Sequence, residues 1–161
     1  MTLAPSRLAD ATESSVEPLS VTTISTSTLG HGLAWMLRRH RVSRSASSLT
    51  GITKDTIEVW KVTALDGELH TFHVHDVQFQ VLSRNGRPPP PELSGWKDTV
   101  LVRRGERYRL IMRFADYADP ATPYMFHCHV LKHEDSGMMG QFVVIEPGQI
   151  PKLSPEHADH D

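Results

Sequence analysis

The sequence predicts an all-β fold, a Greek-key sandwich or barrel, and two features of the chain support that prediction. Beyond residue 50, short runs of β-branched and aromatic residues recur at intervals of about eight to twelve residues. Between them lie turn-forming segments such as SRNGRPPPPELSG, whose Asn-Gly pair and proline run cannot continue a strand. Of the 161 residues, 39% are hydrophobic, which is enough for one core of modest size.

The predicted strands follow one another through this part of the chain. The first covers residues 57–62 (IEVWKV), where β-branched and aromatic residues dominate. Residues 72–82 (FHVHDVQFQVL) alternate apolar and polar side chains, but the alternation changes parity near Asp76, which predicts a bulge or bend there. Four further strands are predicted at residues 98–102, 108–114, 124–128 and 141–146.

The two ends of the chain differ in composition from the predicted domain, which covers residues 51–148. Residues 1–50 are rich in serine and threonine and poor in aromatic residues, so we expect a low-complexity, poorly ordered extension. Within it, HGLAWMLRRH has apolar residues at helical spacing and predicts a short helix. Residues 149–161 are expected to form a polar tail.

Composition excludes several classes of function and structure. The formal net charge of −2 gives no general attraction to nucleic acid or to an anionic membrane. A single cysteine excludes an internal disulfide, and no stretch approaches the ~20 apolar residues of a membrane span. The start, MTLAPSRLAD, lacks the basic and apolar regions of a secretory signal, so the chain is expected to stay unexported if Met1 is the true start.

Metal-capable side chains are concentrated in two short segments, HTFHVH and HCHVLKH, which contain six of the ten histidines and the only cysteine. These residues are His70, His73, His75, His127, Cys128, His129 and His133. Side chains of a strand alternate between its two faces, so His127 and His129 point one way and Cys128 the other. By the same rule His73 and His75 share a face, and His70 lies on the opposite one.

If the two segments are neighbours in one sheet, two different sites result on its two faces. One face offers His73, His75, His127 and His129, and the other offers His70 and Cys128. The chain after Cys128 is long enough to bring His133 and Met138 to the second site, which completes a His₂Cys(Met) blue-copper set. The four-histidine face suits copper or another ion that prefers imidazole, and its lack of a thiolate leaves room for a small molecule such as dioxygen.

Each of these residues also has an ordinary structural interpretation. A lone cysteine or methionine is more often core filler, and a single His-x-His pair usually has no function. Zinc is the main chemical alternative, but structural zinc sites usually pair cysteines as C-x-x-C. A cupin is the other alternative, and it would need a carboxylate soon after the second histidine, where residues 77–80 are VQFQ. The complete ligand set therefore favours copper.

The segments HTFHVH and HCHVLKHEDSGMM closely resemble the two copper motifs at the carboxyl end of multicopper oxidases, the laccase-like enzymes of bacteria, plants and fungi. The sequence between them (VQFQVLSRNGRPPP, GWKDTVLV) resembles that of the last cupredoxin domain of the bacterial members. The resemblance covers roughly residues 51–148 and implies a cupredoxin-type sandwich in that region.

The resemblance implies a role for each candidate ligand. It assigns the type 1 copper to His70, Cys128 and His133 with Met138 as axial ligand, the type 2 copper to His73, and the type 3 coppers to His75, His127 and His129. Electrons from a reducing substrate would enter at the type 1 copper and pass through the cysteine and its flanking histidines to a trinuclear cluster that reduces dioxygen to water. Glu134 matches an acidic residue thought to relay protons, although a solvated surface carboxylate is the alternative. Asp66 is a weaker candidate for a partner of a ligand histidine, or it caps the LDGE turn.

The sequence departs from the family pattern in two respects. Thr71 and Asp76 stand where the common form has proline and glycine, and neither is a ligand. More important, the family cluster uses eight histidines, four of them from an amino-terminal domain, whereas residues 1–50 contain only His31 and His40. The chain is then a fragment of a full oxidase, a partner of a second cupredoxin domain or chain, or a one-copper carrier, and the low-complexity start favours the first.

The function predicted from the sequence is therefore the carboxyl-terminal copper-binding domain of a multicopper oxidase. A non-enzymatic blue-copper electron carrier or a truncated copper-binding remnant is the alternative. The resemblance also implies a periplasmic or extracellular location. It leaves the reducing substrate open, because phenols, bilirubin-like pigments and metal ions are all used within the family.

Overall fold

The computed structural model describes residues 20–29, 32–39, 50–66 and 68–152, and side chains only from residue 51 onward. Within these residues the chain forms two five-stranded sheets, which confirms the predicted all-β sandwich of cupredoxin type. The strands are, in chain order, β1 (Ser20–Leu29), β2 (Gly32–Arg39), β3 (Thr50–Thr53), β4 (Ile57–Thr63), β5 (His70–Val74), β6 (Phe79–Arg84), β7 (Thr99–Val102), β8 (Arg107–Arg113), β9 (Tyr124–Cys128) and β10 (Met139–Ile145).

The first sheet has the strand order β2-β1-β4-β8-β6, and the second has the order β3-β10-β9-β5-β7. Most neighbours are antiparallel, but β1 runs parallel to β4, and β3 runs parallel to β10. Consecutive strands therefore often lie in different sheets, and the chain crosses repeatedly from one layer to the other. This topology places β5 and β9 side by side although 49 residues separate their ends. Both histidine-rich segments thus lie in one sheet.

The prediction of a short helix over HGLAWMLRRH is wrong, because Gly32–Arg39 form β2. That strand pairs along its whole length with β1, from Leu29 opposite Gly32 to Thr22 opposite Arg39. Pairing between strands thus overrides the local helical spacing of the apolar residues. Since β1 in turn pairs with β4, part of residues 1–50 extends the first sheet, and the domain boundary at residue 51 stays a prediction.

The parity shift near Asp76 marks a crossing between sheets rather than a bulge within one strand. Residues 72–82 divide into β5, which belongs to the second sheet, and β6, which belongs to the first. Asp76 lies between them with φ of 75°, a left-handed conformation that favours glycine. This left-handed conformation explains why the common family form has glycine at this position. Aspartate is one of the few other residue types that tolerate it.

The core between the sheets is built around Trp60 of β4, which is fully buried. Its ring lies 5.6 Å from that of Phe142 and 5.7 Å from that of Phe126, measured between centroids, and both pairs are edge-to-face. Phe72 and Phe114 complete the ring of aromatic side chains around it, at 6.3 and 5.9 Å. Such pairs add to the stabilisation that burial itself provides. The core therefore fixes the positions of β5, β9 and β10, which bracket the metal-capable residues.

The helical elements are short. A 3₁₀ turn covers Pro91–Leu93, and a single α-helix turn, α1, covers Leu131–Asp135 just after β9. None of the helices in the described part of the chain has the length and apolar content needed to cross a lipid bilayer.

Candidate metal centre

The side chains of β5 and β9 alternate between the core and the outer face of the second sheet, as predicted. The two strands are antiparallel, with Phe72 opposite Cys128 and His73 opposite His127. His70 and Cys128 are fully buried and point inward, whereas His73 and His75 are only half-buried. The division of the histidine-rich segments into an inner and an outer cluster is therefore confirmed.

The inner cluster brings one sulfur and two ring nitrogens together. The Sγ atom of Cys128 lies 3.7 Å from Nδ1 of His70 and 3.5 Å from Nδ1 of His133. Nitrogen and sulfur ligands at about 2.0–2.3 Å from one ion, in trigonal or tetrahedral geometry, lie about 3.5–3.8 Å apart. The two sulfur–nitrogen distances are therefore those expected of ligands that share a single metal ion.

Met138 lies beside this cluster because α1 turns the chain back onto β9. Its backbone N–H donates to the carbonyl of His133, and its carbonyl accepts from the N–H of Cys128, both at 3.0 Å. Gly137 makes the reversal with φ of 82°, which a residue with a side chain rarely adopts. The Met138 side chain is fully buried in the same core. Two imidazoles, a thiolate and a thioether are the donor set of copper rather than zinc.

Two carboxylates hold the remote nitrogens of the inner histidines. Nε2 of His70 lies 2.7 Å from Oδ1 of Asp66, and Nε2 of His133 lies 2.8 Å from Oε2 of Glu68. A proton on each Nε2 leaves Nδ1 free to face a metal. Oδ1 of Asp66 also accepts from the backbone N–H of Glu68 at 3.1 Å, so both roles considered for Asp66 are combined in one side chain. Sequence analysis did not single out Glu68.

The environment of the inner cluster prepares Cys128 to be a thiolate. Burial by itself would raise the pKa of Cys128, but hydrogen bonds from the His70 ring, the backbone N–H of Val130 and the His133 ring outweigh it and lower the pKa to about 6. Burial likewise lowers the pKa of His70, and its hydrogen bonds to Cys128 and Asp66 more than compensate, so that the pKa is raised. Both shifts favour the charged form of each group, the thiolate of Cys128 and the imidazolium of His70, when no metal is bound.

The outer cluster lies on the opposite face of the same two strands. Ligand atoms of His73, His75 and His127 all lie within 4.8 Å of one another, and the Nε2 atoms of His75 and His127 are 3.2 Å apart. The exposed His129 adjoins them, with its ring 5.2 Å from that of His127 and 5.6 Å from that of His73. The structure thus brings all four predicted outer-face residues together.

The outer cluster is electrostatically suited to binding a cation in place of protons. Burial and the neighbouring rings of His127 and His73 lower the pKa of His75. Metal ions need the neutral imidazole, so a lowered pKa favours binding. Nδ1 of His73 lies 3.0 Å from both Oγ1 of Thr99 and the carbonyl oxygen of Asp98, which fixes the orientation of that ring.

Glu134 lies on α1 next to the outer cluster rather than the inner one. Its Oε2 atom is 3.6 Å from Nδ1 of His127, which is a charge contact longer than a hydrogen bond, and its side chain is one-third exposed. The carboxylate thus lies beside the cluster and is partly accessible to solvent. That arrangement is compatible with proton transfer, which stays a prediction.

Four of the ten histidines lie outside the residues that the structure describes. These are His31, His40, His157 and His160. Among the described residues, the outer cluster therefore consists of the four histidines named above.

A two-sheet sandwich that carries an inner Cys-His₂ cluster and an outer histidine cluster on adjacent strands defines a metal-binding domain of cupredoxin type. Comparison with known proteins then identifies the family. Residues 16–148 match the family model described as multicopper oxidase. The chain belongs to that family, and copper is the metal that the family implies.

Individual relatives agree with this assignment. A multicopper oxidase of Staphylococcus haemolyticus is 41% identical over 91 residues, which cover 54% of this chain and 20% of the relative. A laccase of Haloferax volcanii is 41% identical over 93 residues, covering 56% of this chain and 16% of the relative. The crystal structure of a multi-copper oxidase from Pediococcus acidilactici superposes with a TM-score of 0.68 and 30% identity, over 96% of this chain and 32% of that one. The chain thus spans a fifth or less of the two relatives' lengths.

Proposed function

We propose that this chain is the electron-transfer and oxygen-facing copper domain of a laccase-like multicopper oxidase. In this proposal His70, Cys128 and His133, with Met138 as the weak fourth ligand, hold a type 1 copper. His73, His75, His127 and His129 contribute ligands to a type 2 and type 3 copper cluster on the outer face. Bound copper would supply the redox chemistry, in which electrons from a reducing substrate pass to dioxygen and form water.

The arrangement of residues at the end of β9 is the single observation that carries this proposal. Cys128 points into the core, while His127 and His129, its immediate neighbours in sequence, belong to the outer cluster. The cysteine of the inner cluster is therefore joined by one peptide unit on each side to a ligand of the outer cluster. The covalent connection gives a short route between two sites that the sheet otherwise separates.

The protein residues would serve this function by holding donors in place and by moving protons. Asp66 and Glu68 hold the inner imidazoles with Nδ1 toward Cys128. Thr99 and the backbone of Asp98 hold His73 on the outer face. Glu134, which contacts both His127 and solvent, would deliver protons to the outer face, because each electron passed to dioxygen is accompanied by one proton.

Copper stoichiometry measured together with oligomeric state and oxygen uptake tests the proposal. We expect the copper-loaded chain to show a visible Cu(II)–thiolate charge-transfer band, and the Cys128→Ser variant to lose that band and to bind one copper fewer. Oxygen uptake with a phenolic reductant, in an assembly with more than one copper per chain, would support the oxidase function. Absence of the band in the loaded wild-type chain would contradict the proposal at its first step.

The second candidate is a one-copper electron carrier, and the relative completeness of the two clusters favours it. Within the described residues the inner cluster has the three strong donors of a blue-copper site, with Met138 buried next to it in sequence and core, while the outer cluster has four of the eight histidines that the resemblance implies. A monomer with one copper, reversible reduction of the thiolate band and no oxygen uptake would favour the carrier over the oxidase.

A further inference from the structure

We propose that Glu68 is a positioning residue of the inner copper site, which holds the ring of His133 and lowers the reduction potential of the bound metal. The inference rests on the proposed function for the identity of the metal. It adds a residue that the ligand pattern does not contain, since Glu68 precedes the first ligand histidine by two positions and lies 65 positions before His133.

The contact between Glu68 and His133 has the geometry of a charge-assisted hydrogen bond. Nε2 of His133 lies 2.8 Å from Oε2 of Glu68, while Nδ1 of the same ring lies 3.5 Å from the Cys128 sulfur. When a metal replaces the proton on Nδ1, a ring that donates from Nε2 to a carboxylate presents the Nδ1 lone pair on its opposite side. Glu68 therefore fixes both the tautomer and the orientation that a metal shared with Cys128 requires.

The same segment holds both ligand rings, which makes the arrangement more than a single surface contact. Asp66 and Glu68 lie in the connection between β4 and β5, and each accepts from the remote nitrogen of a different histidine. A hydrogen bond from the Glu68 backbone N–H to Oδ1 of Asp66, at 3.1 Å, ties the two acidic residues together. This segment thus joins β5, which carries His70, to α1, which carries His133.

The two carboxylates differ in their access to water, and that difference decides how each can be tested. The Asp66 side chain is 6% exposed and the Glu68 side chain 54% exposed. Substitution of Asp66 would leave a buried ring without its acceptor and would endanger folding. Glu68 can be changed with little effect on the fold, because water solvates its surroundings.

A carboxylate beside a ligand ring favours the more highly charged state of the metal. The negative charge of Glu68 stabilises Cu(II) more than Cu(I) and so lowers the reduction potential. Solvent screens a half-exposed charge, so we expect removal of the charge to reduce the ratio of Cu(II) to Cu(I) affinity by about threefold to tenfold. For a one-electron couple that ratio corresponds to a rise of about 30 to 60 mV.

The experiment compares Glu68→Gln with Glu146→Gln in the copper-loaded chain. Glu146 is a matched control, because its side chain is 51% exposed, it also accepts from one basic side chain, that of Lys54, and it follows the far end of β10. We expect the reduction potential to rise in Glu68→Gln and to stay at the wild-type value in Glu146→Gln. Equal potentials in all three proteins, with the thiolate band present, would overturn the inference and leave the proposed function intact.

A second readout needs no metal. In the metal-free protein, nitrogen chemical shifts of the His133 ring report which nitrogen carries the proton. We expect Nε2 of His133 to carry a proton in the wild type and in Glu146→Ala, and a mixture of ring states in Glu68→Ala, with the His70 signals unchanged because Asp66 is still present. A proton held on Nε2 of His133 in Glu68→Ala to the same extent as in the wild type would overturn the positioning role, even if copper never bound to the chain.

Discussion

At the scale of single residues, strand alternation was sufficient to predict which histidines lie together. His73, His75 and His127 gather on one face of the sheet and His70 and Cys128 on the other, because successive side chains of a strand must point in opposite directions. The side chains that hydrogen-bond to these residues were harder to predict. Glu68 meets His133 only because β5 and β9 are neighbours, and no local pattern records that contact.

The ionisation of Cys128 provides a test at this scale. Hydrogen bonds lower its pKa to about 6, so most of the thiol is thiolate at pH 7, whereas an ordinary cysteine is mostly protonated there. We expect the ultraviolet thiolate absorbance of the metal-free protein to rise with a midpoint near pH 6. The Cys128→Ser variant supplies the baseline, and a midpoint near the ordinary value of about 8.5 would contradict the hydrogen-bond account.

At the scale of elements, the predicted strands are confirmed wherever alternation and turn residues agree. Residues 124–128 form β9 with the predicted bounds, and residues 57–62 lie within β4. One element was mispredicted for a physical reason, because HGLAWMLRRH has helical spacing but pairs with β1. The bend predicted near Asp76 is present, but the shift of parity could not show that the chain changes from one sheet to the other there.

The packing of β10 against β9 gives a prediction for one element. Gly140 lies opposite Phe126 in the register of these strands, and a Cβ atom on Gly140 would overlap the Phe126 ring. We expect Gly140→Ala to lower the free energy of unfolding of the metal-free protein by about 1–3 kcal/mol, measured by chemical denaturation. Because Phe126 precedes Cys128 by two residues on the inner face of β9, the copper band should weaken as well.

The exposed neighbour Gln141 provides the control for this experiment. It lies on the same strand and gains no steric overlap on substitution, so Gln141→Ala should change the free energy of unfolding by no more than about 0.5 kcal/mol. Equal stabilities of the two variants would mean that the contact between β9 and β10 is looser than the structure indicates.

At the scale of the whole molecule, the sandwich separates two metal-capable clusters while one strand connects them. The inner cluster is shielded by the aromatic core around Trp60, and the outer cluster opens toward solvent at the exposed His129. The sequence predicted this division because it depends on alternation within β5 and β9. It could not predict the contacts that orient the outer rings, such as that of His73 with Thr99, because they depend on the pairing of β5 with β7.

The most direct test of the central claim is a crystal structure of the copper-loaded chain with anomalous scattering measured at the copper edge. The account predicts a copper peak bonded to Sγ of Cys128 and to Nδ1 of both His70 and His133, with further copper density beside His73, His75 and His127. Copper density only at other positions, with Cys128 unligated, would contradict it.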